Sequence, residues 1–215
     1  MESIHKIPVN EAFSEKCGCP MCKLKERYDQ KAVWFLYEEG IMNPETRIET
    51  NKKGFCKKHL DMLAKEKQSL SLALMLETRL ETLQKELNSP KNIIKTSTKT
   101  ANSCWICEYT DNAMNEIAEL VSQMYGAEDE FKKVFSEQEF FCLPHTALLL
   151  EKNMLKGAKS NEYVKQLLDV NNKFCANIRQ SLSKYAESFD YKSARGSGDT
   201  VKDASKKAIE YMTGK

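Results

Sequence analysis

Cysteine and histidine occur in this chain as short pairs whose spacing suits the binding of metal ions. Each CxxC pair is followed, after 33 or 34 residues, by a CxxH pair. A tetrahedral zinc site takes four thiolate or imidazole ligands, usually supplied as two close pairs. The order of the pairs therefore predicts two Cys3His sites, and hence two zinc ions per chain. Site 1 consists of Cys19, Cys22, Cys56 and His59, and site 2 of Cys104, Cys107, Cys142 and His145.

Both kinds of pair have a physical reason to bind metal. In CxxC a tight turn places the two sulfurs on one side. In CxxH at the start of a helix, positions i and i+3 share a face, and the positive helix end favours a thiolate. Four protein ligands leave no coordination position for a substrate. The sequence also contains no HExxH, GxSxG or glycine-rich phosphate loop, so we expect structural zinc and no enzymatic activity.

Two other interpretations of the pairs stay open at this stage. A CxxC pair also occurs in redox proteins, although the βαβ context of a thioredoxin-like site is missing here. An iron–sulfur centre also accepts cysteine and histidine, although dispersed pairs favour zinc.

Two further cysteines lie outside the four pairs. Cys175 falls on an apolar helical stripe, and we expect it to be a small buried side chain. Cys17 stands two residues before Cys19 and has no counterpart in the second half. It is either an inert surface thiol or a competitor that displaces Cys19 from the metal or pairs with it on oxidation.

The two halves of the chain are similar in sequence. A shift of 85 residues aligns the two CxxC pairs and also Ala32 with Ile117. After one insertion, a shift of 86 aligns the two CxxH pairs and Phe55 with Phe141. Because the apolar positions agree as well as the candidate ligands, we interpret the chain as an internal duplication.

The periodicity predicts an all-α fold of two tandem helical repeats, each held by one Cys3His zinc site, and a short C-terminal helix. The expected divisions are a first repeat over 1–88, a linker over 89–103, a second repeat over 104–190 and a tail over 191–215. The expected helices cover 22–39, 59–88, 161–189 and 200–212, after an irregular lead-in over 1–18 that contains Pro8.

Three sets of apolar residues define the expected packing. One face of the helix over 59–88 carries Leu76, Leu80, Leu83 and Leu87. A seam along the helix over 161–189 consists of Val164, Leu168, Asn171, Cys175, Ile178, Leu182, Tyr185 and Phe189. The aromatic residues expected to pack in the core beneath the metal sites are Trp34, Phe35, Tyr37, Phe140 and Phe141.

The charge balance argues against a nucleic-acid ligand. The chain has 33 Lys and Arg against 31 Asp and Glu, which gives a formal charge of +2, and two zinc ions held by six thiolates would bring it to zero. Nucleic-acid affinity depends largely on a basic surface. No signal-peptide core or membrane-spanning run is visible, so we expect a cytoplasmic protein with no membrane partner.

Several segments also resemble a known family. Ile7-Pro8-Val9 and Glu11-Ala12-Phe13 precede the first CxxC, and Gly54-Phe55-Cys56 and Phe141-Cys142-Leu143-Pro144-His145 contain the CxxH pairs. Near the end come Phe189-Asp190-Tyr191, Ala208-Ile209-Glu210 and Gly214. Together they resemble an uncharacterised bacterial family, chiefly from Firmicutes and Actinobacteria, that is described as a domain of unknown function. The resemblance implies a cytoplasmic bacterial protein with paired metal-type motifs, and it supplies no activity.

The sequence therefore favours a non-catalytic module with two structural zinc sites that binds an unidentified protein partner. The alternative is a redox-responsive switch in which oxidation of Cys17 or of a ligand in the first site releases zinc. Nucleic-acid binding through the zinc modules is a third and weaker hypothesis.

Overall fold

The protein is described by a computed structural model for residues 6–16, 18–40, 42–65, 69–188 and 199–214. Within these ranges all regular structure is helical, which confirms the predicted all-α class. None of the helices in these ranges combines the length and the apolarity needed to cross a bilayer. The chain forms two compact units: unit 1 comprises Met1–Leu24 and Met114–Lys215, and unit 2 comprises Lys25–Ala113.

The division differs from the expected tandem arrangement, because each unit takes part of both predicted repeats. The expected linker over 89–103 is also wrong, since Pro90–Asn102 is a helix. Ser89 is its N-cap and accepts a hydrogen bond from the Asn92 N–H at 3.3 Å. Proline at the first helical position is pre-organised for a helix rather than disruptive. The Ser-Pro pair therefore starts a helix here instead of interrupting one.

Unit 1 contains the first residues of α2, the later part of α7, and most of the C-terminal helices. Its elements are α1 (Lys6–Ser14), the start of α2 (Pro20–Phe35), α7 (Trp105–Ala127) from Met114 onward, α8 (Asp129–Ser136), α9 (Leu143–Glu151), α10 (Gly157–Ser188) and α11 (Asp199–Thr213). The irregular lead-in predicted over 1–18 is wrong for α1. Pro8 is tolerated there because the first N–H groups of a helix have no intrahelical partner.

Aromatic side chains fill the core of unit 1. Phe135 stacks on Phe141 with ring centroids 4.7 Å apart, and Phe13 packs against Phe131 at 5.0 Å. Tyr163 of α10 is fully buried and lies 5.4 Å from Phe135. These rings bury more apolar area than aliphatic side chains of similar length, so they determine which face of each helix turns inward.

In the first half of α10 this aromatic core shifts the buried face by one residue from the predicted seam, whereas Ile178, Leu182 and Tyr185 of that seam are half-buried. The residues that are buried are Tyr163, Leu167, Val170, Asn171 and Phe174. Leu168 and Cys175 are exposed, so the prediction of a buried Cys175 is wrong. The predicted seam followed steps of four and three residues, whereas the buried face observed there follows two large aromatic residues, Tyr163 and Phe174. Phe189, the last member of the predicted seam, lies outside the described residues.

Unit 2 contains the helices that lie between the two CxxC pairs. After α2, a π-helical turn (Leu36–Gly40) is followed by α3 (Pro44–Lys53), α4 (Lys57–Lys65), α5 (Ser69–Glu86), α6 (Pro90–Asn102) and the beginning of α7. The single helix predicted over 59–88 is thus described as two helices, and residues 66–68 between them lie outside the described ranges. Asn43 caps α3 by accepting the Glu45 N–H at 2.9 Å.

The core of unit 2 gathers around the inward face of α2. Ala32, Val33, Leu36 and Tyr37 are buried together with Leu63, Met75 and Ile106. Trp34 lies on the opposite side of the helix and is 61% exposed, so its predicted place in the core is wrong. Of the other predicted core aromatics, Tyr37, Phe140 and Phe141 are buried and Phe35 is partly buried.

Candidate metal centres

All four metal-type pairs lie at the N-termini of helices. The first residue of each pair directly precedes a helix, and its carbonyl accepts the N–H four residues later. These bonds join Cys19 to Lys23 at 3.4 Å, Cys56 to Leu60 at 2.9 Å, Cys104 to Glu108 at 3.1 Å and Cys142 to Thr146 at 2.8 Å. The second residue of each pair follows three positions later, on the same face of the first turn. Four positive helix ends therefore point at the cysteine sulfurs and stabilise their thiolates.

Cluster A, in unit 1, consists of Cys19, Cys22, Cys142 and His145. The Nδ1 atom of His145 lies 3.1 Å from the sulfur of Cys142, 3.3 Å from that of Cys22 and 3.7 Å from that of Cys19. The sulfurs of Cys22 and Cys142 are 3.5 Å apart. Zn–S bonds of about 2.3 Å and Zn–N bonds of about 2.0 Å imply tetrahedral edges of about 3.5–3.8 Å. The four donors of cluster A fit a single ion of this size.

Cluster B, in unit 2, consists of Cys56, His59, Cys104 and Cys107. The Nδ1 atom of His59 lies 3.2 to 3.4 Å from the three sulfurs. The sulfurs of Cys56 and Cys107 are 3.8 Å apart, and the Cys107 N–H donates to the Cys104 sulfur at 3.5 Å. In both clusters all donor atoms lie within 4.8 Å of one another.

The eight predicted ligands thus come together as two sets of three cysteines and one histidine, but the predicted pairing is wrong. The structure joins the first CxxC to the last CxxH, and the first CxxH to the second CxxC. Each cluster therefore takes one pair from each predicted repeat. Spacing is a poor guide to this choice, because doubling the length of a closed loop costs only about 0.6 kcal/mol. Packing of the intervening helices outweighs a difference of that size.

Cluster A is enclosed by its unit. All four donor residues are buried. Asn171 accepts the Phe141 N–H at 2.9 Å and donates to the Thr146 hydroxyl at 2.7 Å, so it holds the residues on either side of the Cys142/His145 pair. At the end of α11, a Cβ atom on Gly214 would lie 3.6 Å from the Cys142 sulfur. The backbone after α11 therefore covers this cluster.

Cluster B has a charged neighbour in Asp29 of α2. The Oδ1 atom of Asp29 lies 3.3 Å from the Nε2 atom of His59, on the side of the ring that faces away from the sulfurs. Asp29 also accepts from Lys58 at 2.6 Å and from Thr110 at 2.8 Å. Burial raises the pKa of Asp29, but these three contacts outweigh burial and lower it to about 2. A carboxylate on the far nitrogen of a ligating histidine is a typical outer partner of a metal centre.

Burial and neighbouring groups shift the pKa values of several thiols in the two clusters. In cluster A, burial and the neighbouring sulfurs raise the pKa of Cys19 well above its ordinary value. In cluster B, burial and the charge on Cys104 raise the pKa of Cys107. Burial also raises the pKa of Cys104, but the contact with His59 and the hydrogen bonds from Cys56 and Cys107 together outweigh burial and lower the pKa to about 6. Three thiolates so close together need a cation to balance them, which a divalent metal supplies.

The remaining predicted site residues are not part of either cluster. Cys175 is on the exposed side of α10. Cys17 lies outside the described residues, so its predicted competition with Cys19 stays a prediction. Sequence reasoning missed Asp29. The available signal was one acidic residue between Tyr28 and Ala32 on the apolar face of α2.

Comparison with known proteins places the chain in a family without assigning it an activity. The model of a family of unknown function, DUF6062, matches residues 1–215, so the chain belongs to that family. No curated protein and no solved structure shows significant similarity to it.

Proposed function

We propose that this protein is a helical module stabilised by two structural zinc ions, that it binds a protein partner, and that it performs no catalysis. The observation that carries the proposal is the convergence of three cysteines and one histidine at each of two places, with all donor atoms within 4.8 Å. Each ion would join the N-termini of two helices that are far apart in sequence, and so would stabilise one unit.

The donor chemistry supports zinc among the possible metals. Thiolate and imidazole ligands in a tetrahedral set are typical of structural zinc, whereas Mg²⁺ and Ca²⁺ prefer oxygen donors. The four donors of each cluster surround one point, which suits a single ion rather than a multinuclear centre. With four protein ligands, neither ion has a free position at which to activate water or a substrate.

The experiment for this part is a metal analysis of the purified full-length chain. We expect two zinc ions per chain by elemental mass spectrometry, and loss of helical circular dichroism when a strong chelator removes them. Structural zinc contributes about 10–16 kcal/mol in small zinc-finger peptides, so the loss should be large. Protein that contains no zinc, or that keeps its helicity and melting temperature after complete removal, would refute the proposal.

The proposed partner binding is supported by large apolar side chains on the surface of unit 2. Trp34, Met42 and Ile48 are 61%, 82% and 65% exposed. Contiguous exposed apolar patches mark protein–protein interaction sites, and we propose that these three side chains form part of one. We expect the triple substitution Trp34→Ser, Met42→Ser and Ile48→Ser to abolish recovery of the partner by crosslinking while zinc content stays at two. The matched control replaces Ile7, Met154 and Leu168 with serine; these are exposed apolar residues of unit 1 outside the metal-type pairs, and their loss should leave recovery unchanged.

The alternative function, a redox-responsive switch, gains support from the exposure of cluster B. Cys56 and Cys107 are partly exposed, whereas all the ligands of cluster A are buried. Exposed thiolates are oxidised first, so this geometry favours cluster B as the sensitive site over cluster A, whose Cys19 follows Cys17 by two residues in the sequence. The test is peroxide titration with a colorimetric zinc indicator. A switch driven by Cys17 requires slower release from a Cys17→Ser variant, whereas a switch at cluster B requires release that is unaffected by that substitution.

A further inference from the structure

Unit 2 contains an apolar cavity that takes no part in either metal cluster. It lies among α3, α4, α5 and α6 and has a volume of about 180 Å³. Its aliphatic walls come from Leu60, Leu72, Met75, Leu76, Leu80 and Leu83. Three of these belong to the leucine face predicted from the sequence for the helix over 59–88. In the structure Leu76, Leu80 and Leu83 line the cavity.

Two arginines add positive charge to this apolar surface. Arg47 of α3 and Arg79 of α5 both line the cavity. Arg79 donates to the backbone carbonyl of Asn51 at 3.0 Å and to the Thr100 hydroxyl at 3.3 Å, and Arg47 donates to the Thr78 hydroxyl at 3.4 Å. These acceptors are all neutral. Among the residues that the structure describes, no carboxylate forms an ion pair with either arginine.

We propose that this cavity binds a short aliphatic carboxylate, with its chain among the leucines and its carboxylate at Arg47 and Arg79. A guanidinium presents a planar set of donors that matches a carboxylate in bidentate geometry. Charge complementarity therefore selects an anionic head group, and the leucine walls select a hydrocarbon tail. The proposal is independent of the metal content of the clusters.

The volume sets the length of the ligand. An apolar cavity of about 150 Å³ accepts benzene, so a cavity of about 180 Å³ accommodates roughly six to eight carbon atoms. An α-helix has a diameter of about 10–12 Å with its side chains and cannot enter a space of this size. The cavity therefore fits a small acid better than a peptide helix. Leu80, in its wall, is 63% exposed, so the cavity is open to solvent on that side.

The test is a titration of the full-length chain, labelled with ¹³C in its methionine methyl groups, with octanoate. Met75 lines the cavity and is buried, so its methyl signal reports on occupancy; a Met75→Leu variant assigns it. The comparison ligands are 1-octanol, which has the tail alone, and acetate, which has the head group alone. We expect octanoate to shift the Met75 signal and to bind at least about tenfold more tightly than octanol, because charge-assisted hydrogen bonds are the stronger kind. Acetate should produce no shift.

The matched variants are Arg47→Gln and Lys52→Gln. Both remove one positive charge from α3, but Lys52 is exposed and does not line the cavity. Arg47 makes one long hydrogen bond, to Thr78 at 3.4 Å, so its loss should leave the fold intact. We expect Arg47→Gln to weaken octanoate binding about tenfold without changing octanol binding. Lys52→Gln should change neither.

Three results would overturn the proposal. The first is the absence of any Met75 shift at millimolar octanoate. The second is equal binding of octanoate and octanol that Arg47→Gln does not alter, which would mean that the cavity recognises hydrocarbon alone. The third is a dimer in sedimentation experiments whose formation blocks octanoate and is broken by Leu80→Asp, which would make a second copy of the chain the true occupant.

Discussion

Clusters A and B contain the same donors and hold them in different ways. Cluster A has four buried ligands, a buried asparagine beside its CxxH pair and a backbone cover at Gly214. Cluster B leaves Cys56 and Cys107 partly exposed and has Asp29 next to its histidine. The alignment of the two halves places Met114 at the position of Asp29. The same set of donors is therefore supported by neutral packing in cluster A and by a buried charge in cluster B.

The comparison shows that one ligand motif occurs in two different environments, and we expect these environments to give the two clusters different metal affinities. The residues around the ligands fix the ring orientation, the charge and the access of solvent. We expect cluster A to depend on the folding of unit 1 as a whole. Cluster B should depend more on the Asp29 contact. The following predictions test this difference.

The largest expected effect is a change in metal content that distinguishes the observed pairing of ligands from the pairing expected for tandem repeats. Cys19→Ser with Cys142→Ser removes two ligands from cluster A alone, so the chain should keep one of the two proposed ions. Cys19→Ser with Cys56→Ser removes one ligand from each cluster, and the chain should keep neither. Tandem pairing predicts the reverse result for the two double variants. Native mass spectrometry gives the number of ions directly.

Circular dichroism of the same variants supplies the control for folding. Because structural zinc stabilises small peptides by about 10–16 kcal/mol, the first double variant should lose only the helicity of unit 1, and the second should lose most of the total. Equal losses in the two variants, with equal metal contents, would contradict the observed pairing.

The next effect concerns Asp29, which supports cluster B only. Asp29→Asn removes the negative charge beside His59, and changes of this kind lower metal affinity about 10–100-fold. In a competition titration with a chelator, cluster B should release its ion at a lower chelator concentration and cluster A should be unchanged. Lys58→Gln is the control, because it breaks the contact with Lys58 but leaves Asp29 beside His59. An equal shift for both clusters would mean that Asp29 acts through general stability.

The sequence was sufficient to predict the class of the fold and the identity of the eight candidate ligands, because these depend on local patterns. CxxC, CxxH and helical periodicity each involve residues within a few turns of one another. The pairing of the ligands was not predictable in this way. It depends on which helices pack together, and loop length contributes too little energy to decide it. The shifted face of α10 has a similar cause, because Tyr163 and Phe174 are buried by packing against Phe135 and Phe140, which are distant in sequence.

A third prediction tests the neutral support of cluster A. Asn171→Leu would leave the buried Phe141 N–H without its acceptor, which costs about 1–3 kcal/mol. Hydrogen exchange should show faster opening of unit 1, with the amides of unit 2 unchanged. Asn177→Leu, on the exposed side of the same helix, should change stability by less than about 0.5 kcal/mol. Equal effects of the two substitutions would mean that the hydrogen bonds of Asn171 do not stabilise cluster A.

The smallest expected effect concerns the backbone cover over cluster A. Gly214 has a φ of 76°, a conformation that costs other residues about 1–2 kcal/mol. An alanine Cβ would meet the Cys142 sulfur at 3.6 Å, which is an ordinary contact, so strain in the backbone and not a clash should loosen the cover. We expect Gly214→Ala to speed chelator-driven release from cluster A by about fivefold, the equivalent of about 1 kcal/mol. Gly54→Ala, at a φ of 69° in unit 2, should leave this rate unchanged.

The variant Gly214→Asn separates the two possible causes of faster release. Asparagine is larger than alanine but adopts positive φ more readily. If backbone strain controls the cover, Gly214→Asn should release metal more slowly than Gly214→Ala. If space next to the sulfurs controls it, the larger side chain should give the faster release. The order of these two rates therefore shows whether cluster A is protected by the conformation of the chain after α11 or only by its close packing.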